Sequence, residues 1–418
     1  MHTFHFLLQA KAGKYKINFT AWGGVNILKR LTLCGVGQYA KICHSIFISP
    51  CLTQCSIFTF GILLLSFDKM ENQQPKPHRR VRYSGTHPKS FNEKYKELQP
   101  GQYAEDVEKV IQQGRTPAGM HRSICMVEIL SFLQIIPGQV GLDATLGYGG
   151  HSLEMVKCLI PGGRLYAIDV DPIELPKTKI RLESLGFGSE VVTLRKLNFS
   201  QIDQIVLESG LLDFVLADLG VSSMQMDNPE RGFSLKMDGP LDLRLNPKTG
   251  KPASDLLKKL TFTQLEEILK ENSDEPYAAE IAKTTCSKTS KGIEVKTTSD
   301  FKKIIEEALA FLPQKDKKEL VKKSCQRCFQ ALRIAVNDEY NVLDKFLEKL
   351  PNAIKPGGKV AILTFHSGED RRVKKAFQAY HRLGICSKIA LEPIRPTPAE
   401  INSNPRARSA KLRWAIMG

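Results

Sequence analysis

LDATLGYGGH, residues 142–151, decides how this chain is read. An apolar run from Gln139 ends in the carboxylate of Asp143. A glycine turn follows through Gly147, Gly149 and Gly150, and a helix-like segment opens at Ser152. Strand, glycine turn and helix are how a doubly wound α/β sheet builds a nucleotide-sized crevice. Glycine lets the backbone pass under a ligand where a side chain would collide. Arg164–Asp169 reads as the next buried strand, and Asp169 lies about 20 residues beyond the turn, where a ribose-binding carboxylate belongs.

Two cofactors suit such a turn. A dinucleotide wants a third glycine in G-x-G-x-x-G, but Ser152 stands there. Asp143, four residues before Gly147, suits a ligand with a cationic amino-acid end. The residues favour S-adenosylmethionine over a dinucleotide, with a ligand-free glycine turn as the bland alternative.

Working outward, Val140–Leu146, Arg164–Asp169, Glu190–Leu194 and Asp213–Asp218 read as strands separated by helical stretches. Ligands in open α/β sheets sit beyond the carboxyl ends of the strands. Asp143, Asp169 and Asp218 are therefore expected to face one crevice. From Asp227 to about Lys323 the alternation stops. Thr263-Gln-Leu-Glu266 fits a capping box, and Phe301–Leu309 repeats apolar residues at helical spacing. Residues 227–325 are thus expected to form an inserted, mainly helical domain between two parts of a sheet domain, 120–226 and 326–418. The sheet pattern resumes with a helix Phe329–Leu350 and a strand Lys359–Phe365.

The chain is 418 residues long with formal net charge +16. The charge is uneven. Residues 1–67 carry +6 without one acid, 68–100 carry +4 and 351–418 carry +9, so 101–350 is slightly acidic at −3. Basic flanks around a non-basic centre suit a phosphate-backbone partner, against a merely solvated cationic surface. Residues 1–67, acid-free, basic and rich in Ser and Thr, have a transit-peptide composition, and import into the mitochondrial matrix is the favoured reading. A membrane segment at 46–67 and an extension without function are the alternatives. The apolar part, 57–67, is shorter than the ~20 residues a span needs, so no stable membrane partner is expected. Residues 68–119 read as a polar linker and entry segment. Ten cysteines in so long a chain suit free thiols in a reducing compartment. The lone pair Cys325-Gln-Arg-Cys328 lacks two further zinc ligands and is read as structural, with no metal expected.

Three polar constellations remain: DLGVSSMQ at 218–225, RGFSLKMDGPLDLR at 231–244 and FHSGEDR at 365–371, followed by the cationic NPRARSAKLR at 404–413. With DATLGYGGHS, AIDVDP, NFS and FQALRIAVNDE, they run in order over some 300 residues. In these strings the chain resembles the bacterial-type small-subunit ribosomal RNA cytosine-N4 methyltransferase family. With its cationic front it resembles the mitochondrial member of that family in animals. The resemblance implies a Rossmann-like class I methyltransferase with an inserted helical domain. It also implies methyl transfer from S-adenosylmethionine to a cytidine of mitochondrial small-subunit ribosomal RNA or a pre-ribosomal particle. The family's cofactor contacts fall on Gly149, Gly150, His151, Asp169, Phe199, Asp218 and Gln225. RNA contacts are expected from Arg231, Arg244, His366 and Arg371, and from Arg406, Arg408 and Lys411. Three family strings differ: Ser324-Cys-Gln-Arg-Cys328 replaces Pro-Ala-Thr-Arg-Thr, Gly368 replaces the Leu of His-Ser-Leu-Glu-Asp, and the domain start His121–Glu128 lacks the expected proline.

A cytosine amine is conjugated into its ring and is a poor nucleophile. Catalysis must come from alignment and from an acceptor for its N–H. Asp218 is the candidate catalytic residue, with a nearby backbone carbonyl as the alternative acceptor. Two other functions fit the same residues: an RNA-binding assembly factor with a retained pocket, and a cytosine-N4 DNA methyltransferase.

Overall fold

The computed structural model describes residues 6–11, 14–19 and 123–418. Two strands, β1 (Phe6–Lys11) and β2 (Lys14–Phe19), form an antiparallel hairpin. The transit-like composition of 1–67, the 46–67 segment and the 68–119 linker otherwise lie outside the described residues.

The remainder is built on one seven-stranded sheet. Its strands are β3 (Val140–Asp143), β4 (Arg164–Asp169), β5 (Val192–Lys196), β6 (Leu212–Asp218), β7 (Ile354–Thr364), β8 (Cys386–Ile389) and β9 (Lys411–Met417), in the order β5-β4-β3-β6-β7-β9-β8. The first five run parallel, and β9 is antiparallel to both of its neighbours. Alternation sets the two faces. Phe214 and Leu216 face one core, Val215 and Ala217 the other. A strand buried on both faces needs apolar residues at every position, which is why Leu212–Asp218 reads as one apolar run. The chain winds outward from β3 to β5, then returns to β6 on the other side of β3. That reversal opens a crevice beyond the carboxyl ends of β3 and β6.

The helical insert has its own core, running from Leu241 to Leu332. Its helices are Ala253–Leu257, Phe262–Ser273, Ala278–Ser290 and Thr298–Ala308, closed by the first half of the long helix Gln314–Asn337. On Thr298–Ala308 the buried face is Phe301, Ile304 and Ile305, as the periodicity indicates.

Several boundaries differ from the sequence reading. The expected division at 325/326 falls inside one uninterrupted helix, because nothing between Gln314 and Asn337 breaks it. The expected helix 329–350 is two helices. Asp338 takes a left-handed conformation (φ 51°) and restarts the chain at Glu339–Lys349. Asp tolerates that conformation better than most residues. The capping box lies two residues earlier than expected, on Thr261 and Gln264, since either threonine precedes a suitable partner.

Candidate active site

The turn after β3 holds its shape through backbone groups. Gly147 (φ 49°) donates its N–H to Asp169 Oδ2 at 2.7 Å, and its carbonyl accepts from Thr178 Oγ1 at 2.7 Å. Gly149, at φ 74°, caps the helix Gly150–Leu159. A Cβ there would sit 2.9 Å from Thr178 Cγ2 and 3.1 Å from Arg181 Nη2. Gly149→Ala is therefore expected to add about 1–2 kcal/mol of left-handed strain. The cofactor would bind about tenfold more weakly or worse, checked by calorimetry with S-adenosylhomocysteine.

The turn, β4 and β6 wall a cavity of about 470 Å³. Gly149, Gly150, His151, Asp169, Phe199, Asp218 and Gln225 all line it. Asp169 is held by the N–H groups of Gly147 and Asp171, yet burial pushes its carboxyl up to about 6. Phe199 follows Asn198, whose Oδ1 accepts from Ser200 N. Its ring packs edge-on against Phe346 at 5.2 Å, which leaves it fixed at the cavity wall. A cradle that excludes a Cβ, a buried carboxylate one strand over and an aromatic wall fit the adenosyl group of S-adenosylmethionine.

Asp143 is a correction. It is buried behind the turn, not facing the crevice, and its oxygens accept from Thr145 N (3.1 Å) and Ser152 Oγ (2.6 Å). Ser152, which counted against a dinucleotide, is the donor that ties the first strand to the helix.

Asp218, at the end of β6, is the reacting-centre candidate. Its N–H donates to Thr145 Oγ1 at 2.6 Å. Its Oδ2 lies 3.5 Å from His151 Nδ1, while Oδ1 is buried with no hydrogen-bond partner. An unmet buried acceptor is costly, and the residue that carries it lines the cavity. Burial pushes the Asp218 carboxyl up to about 6, with the charges of Asp143 and Glu369 adding to the effect and His151 opposing it.

Gln225 is spent on structure as well as lining. Its Oε1 accepts from Ser222 N and its Nε2 donates to Asp171 Oδ2. Asp171, overlooked in the sequence, is fully buried and also accepts from Arg231 Nη1 at 2.8 Å and Ile173 N at 2.8 Å. It joins the loops after β4 and β6.

The cations expected to meet RNA divide into two groups. Arg231 is buried, spending its guanidinium on Asp171 and on the carbonyls of Arg244 and Leu245. Arg244 is forked onto Asp242. Lys411 pairs with Asp370, as does the buried Arg413. Arg231, Arg244 and Lys411, where RNA contacts are expected, are thus each paired with a carboxylate of the protein. His366 caps the helix Ser367–Arg382, its Nδ1 facing Glu369 N, with Nε2 3.1 Å from Glu369 Oε1. It too is turned inward. Arg371 and Arg408 are exposed, and Arg406 lines the cavity, bound to Asp227 through Nη2 with Nη1 buried and lacking an acceptor.

The junction after the insert, where the helix Gln314–Asn337 gives way to Glu339–Lys349, supplies a further wall. Arg333 forks onto Glu339 at 2.8 and 2.9 Å, and both line the cavity with Asn337. Asn337 pins the loop 243–245 through Leu243 O and Leu245 N. The signal was present in FQALRIAVNDE: a cation, an amide and a carboxylate spaced to the end of a helix. The departures from the family strings face elsewhere. Ser324 and Arg327 both bind the buried Glu275 inside the insert. Tyr340 occupies the space a side chain at Gly368 would need. Cys325 and Cys328 are buried in the insert core, and burial pushes the Cys325 thiol up to about 11. Among the described residues no helix is long and apolar enough to cross a membrane.

Residues 118–417 match the profile of the MraW methylase family. The chain is 63% identical over 347 residues to "Ribosomal RNA small subunit methyltransferase H 2" of Alkaliphilus metalliredigens, covering 83% of this chain and 99% of that one. It is 60% identical over 353 residues to "Ribosomal RNA small subunit methyltransferase H 1" of Lachnoclostridium phytofermentans, covering 84% and 96%. With "Ribosomal RNA small subunit methyltransferase H" of Thioalkalivibrio sulfidiphilus it shares 37% identity over 318 residues, 72% and 98% of the two chains.

Proposed function

Because the chain belongs to the MraW methylase family, we propose that it uses S-adenosylmethionine to methylate the N4 amine of a cytidine in small-subunit ribosomal RNA, in support of ribosome maturation. The observation that carries this reading is the buried, unpartnered Oδ1 of Asp218, a residue that lines the cavity together with the glycine turn, Arg333 and Glu339. Bound in the cradle, S-adenosylmethionine supplies an electrophilic methyl group. The protein does the rest. Gly149, Gly150, Asp169 and Phe199 hold the adenosyl end. Asp218 Oδ1 accepts an N–H of the target amine, which draws the nitrogen lone pair out of conjugation and fixes its approach. The target base must leave its stack to enter the cavity, which favours a single-stranded or opened site. Exposed Arg371 and Arg408 stand outside to meet phosphates, and Arg406 at the mouth offers Nη1 to an acceptor.

The test is incubation with methyl-labelled S-adenosylmethionine and either small-subunit particles, free RNA or DNA, followed by digestion to nucleosides. Labelled N4-methylcytidine from RNA or particles is expected. Label in deoxycytidine would make it a DNA enzyme. Cofactor binding and RNA binding without label in any nucleoside would make it an assembly factor.

The compartment is a separate proposal. The acid-free, cationic composition of residues 1–67 supports import into the mitochondrial matrix, while 63% identity to a bacterial protein over almost its whole length supports a bacterial cytoplasm. Residues 1–67 fused to a fluorescent protein should be imported and cleaved by mitochondria under the first reading, and left outside under the second.

A further inference from the structure

The orientation of His151 says more than that it touches a cofactor. The ring is buried on the second residue of the helix Gly150–Leu159. Nε2 lies 3.0 Å from the carbonyl oxygen of Ile124. A carbonyl only accepts, so Nε2 carries a hydrogen and the tautomer is set. Nδ1 then faces Asp218 Oδ2 at 3.5 Å. With a bare Nδ1 and an ionised carboxylate, two acceptors would confront each other away from water, which is unfavourable. One proton at that contact removes the conflict, as imidazolium beside carboxylate or as imidazole beside carboxylic acid.

We propose that His151 and Asp218 form a proton-holding pair, in which His151 is the positioning residue that keeps Asp218 ionised to take the proton released by the methylated amine. This rests on the reading of Asp218 given above. As the amine nitrogen gains its bond to the methyl carbon, the methyl–sulfur bond of the donor breaks and its electron pair stays on sulfur; one N–H bond of the methylated amine then breaks. The electron pair stays on nitrogen and the proton goes to Asp218 Oδ1. The Asp218 side chain as a whole is 30% exposed, while Oδ1 itself is buried. The groups facing the pair agree with the assignment. Asp143 behind the turn and Glu369 from the helix Ser367–Arg382 both push the Asp218 carboxyl up, and His151 opposes them. Glu369 is itself balanced by His366 and Arg333. Cys125, ahead of the first helix, is a neutral thiol whose proton is held tightly, with its value pushed up to about 12.

The test has two arms. The first is the pH–rate profile at saturating donor and RNA for the wild type, His151→Gln and His151→Asn. Removing the cation leaves Asp218 harder to ionise, so the rising limb should move to higher pH by about one unit or more. With a midpoint near 6, a one-unit move should lower activity about threefold at pH 6.5 and about tenfold at pH 5, with recovery towards pH 9. Calorimetry with S-adenosylhomocysteine and thermal melts establish that the variants fold and bind. The second arm is nitrogen-15 NMR of histidine in the donor-free protein, which should show the hydrogen on Nε2 and an Nδ1 signal that changes in Asp218→Asn. An unmoved midpoint with an equal loss at every pH, or a hydrogen found on Nδ1 with Nε2 bare, would overturn the pair. If the wild type methylates no RNA, the function reading fails while the NMR arm still decides the pair.

Discussion

Asp218→Asn is expected to bind S-adenosylmethionine close to wild-type strength and to lose methyl transfer by roughly 10²–10⁴-fold, the range a positioned acid–base group contributes. The change keeps size and shape. The backbone N–H still reaches Thr145 Oγ1, so the end of β6 stays in place. What changes is Oδ1, the oxygen proposed to accept from the amine. An amide there carries no charge and presents either a weaker acceptor or a donor to an amine that must itself donate. The second oxygen position changes too, because an amide cannot hold a proton with His151 Nδ1. Single-turnover rates with RNA, alongside calorimetry with S-adenosylhomocysteine, separate the two effects. Loss of both binding and turnover would make Asp218 a cofactor ligand alone. Near-normal turnover would pass the acceptor role to a backbone carbonyl of the loop after β6.

How much of this was legible in the sequence follows from which interactions are local. Strands β4 and β6 were readable because a strand buried on both faces is an unbroken apolar run ended by a polar residue. Arg164–Asp169 is found where it was expected, and Asp213–Asp218 lies within β6. The glycine turn was readable because left-handed backbone near a ligand leaves glycine at fixed positions, here Gly147 and Gly149. The helical insert was visible as a loss of alternation, although its far border was not. A helix that starts in one core and ends at another carries no mark where the cores change. The cations fared worst. Arg231 and Arg408 look alike in a string of residues. One is consumed by a carboxylate 60 residues away and the other is exposed, a distinction made only by tertiary contacts. Asp171 escaped notice for the same reason. It sits two residues after Asp169, and its partners Gln225 and Arg231 come from a different loop.

Asp171→Ala should therefore be the most destabilising single change at the site, costing about 3–5 kcal/mol, the usual result of stripping one member from a buried ion pair. The Arg231 guanidinium would be left 5% exposed with only two carbonyls, and Gln225 Nε2 and Ile173 N would lose their acceptor together. The loss is expected as a lower midpoint in urea with an unchanged slope, since the unfolded chain is the same. Asp171→Ala combined with Arg231→Met should recover a large part of it. An uncharged side chain of similar length removes the unpaired charge, and replacing both partners of a buried pair is far milder than replacing one. The two losses are then non-additive because the residues share one interaction. Cofactor binding should not recover alongside stability. The carboxylate also holds Gln225, and with it the segment after Asp218, against the loop after β4, and methionine at 231 cannot replace that tie. If Asp171→Ala cost under about 1 kcal/mol, the loop would be held by its backbone alone, and the cavity's shape would have to come from the glycine turn and the insert.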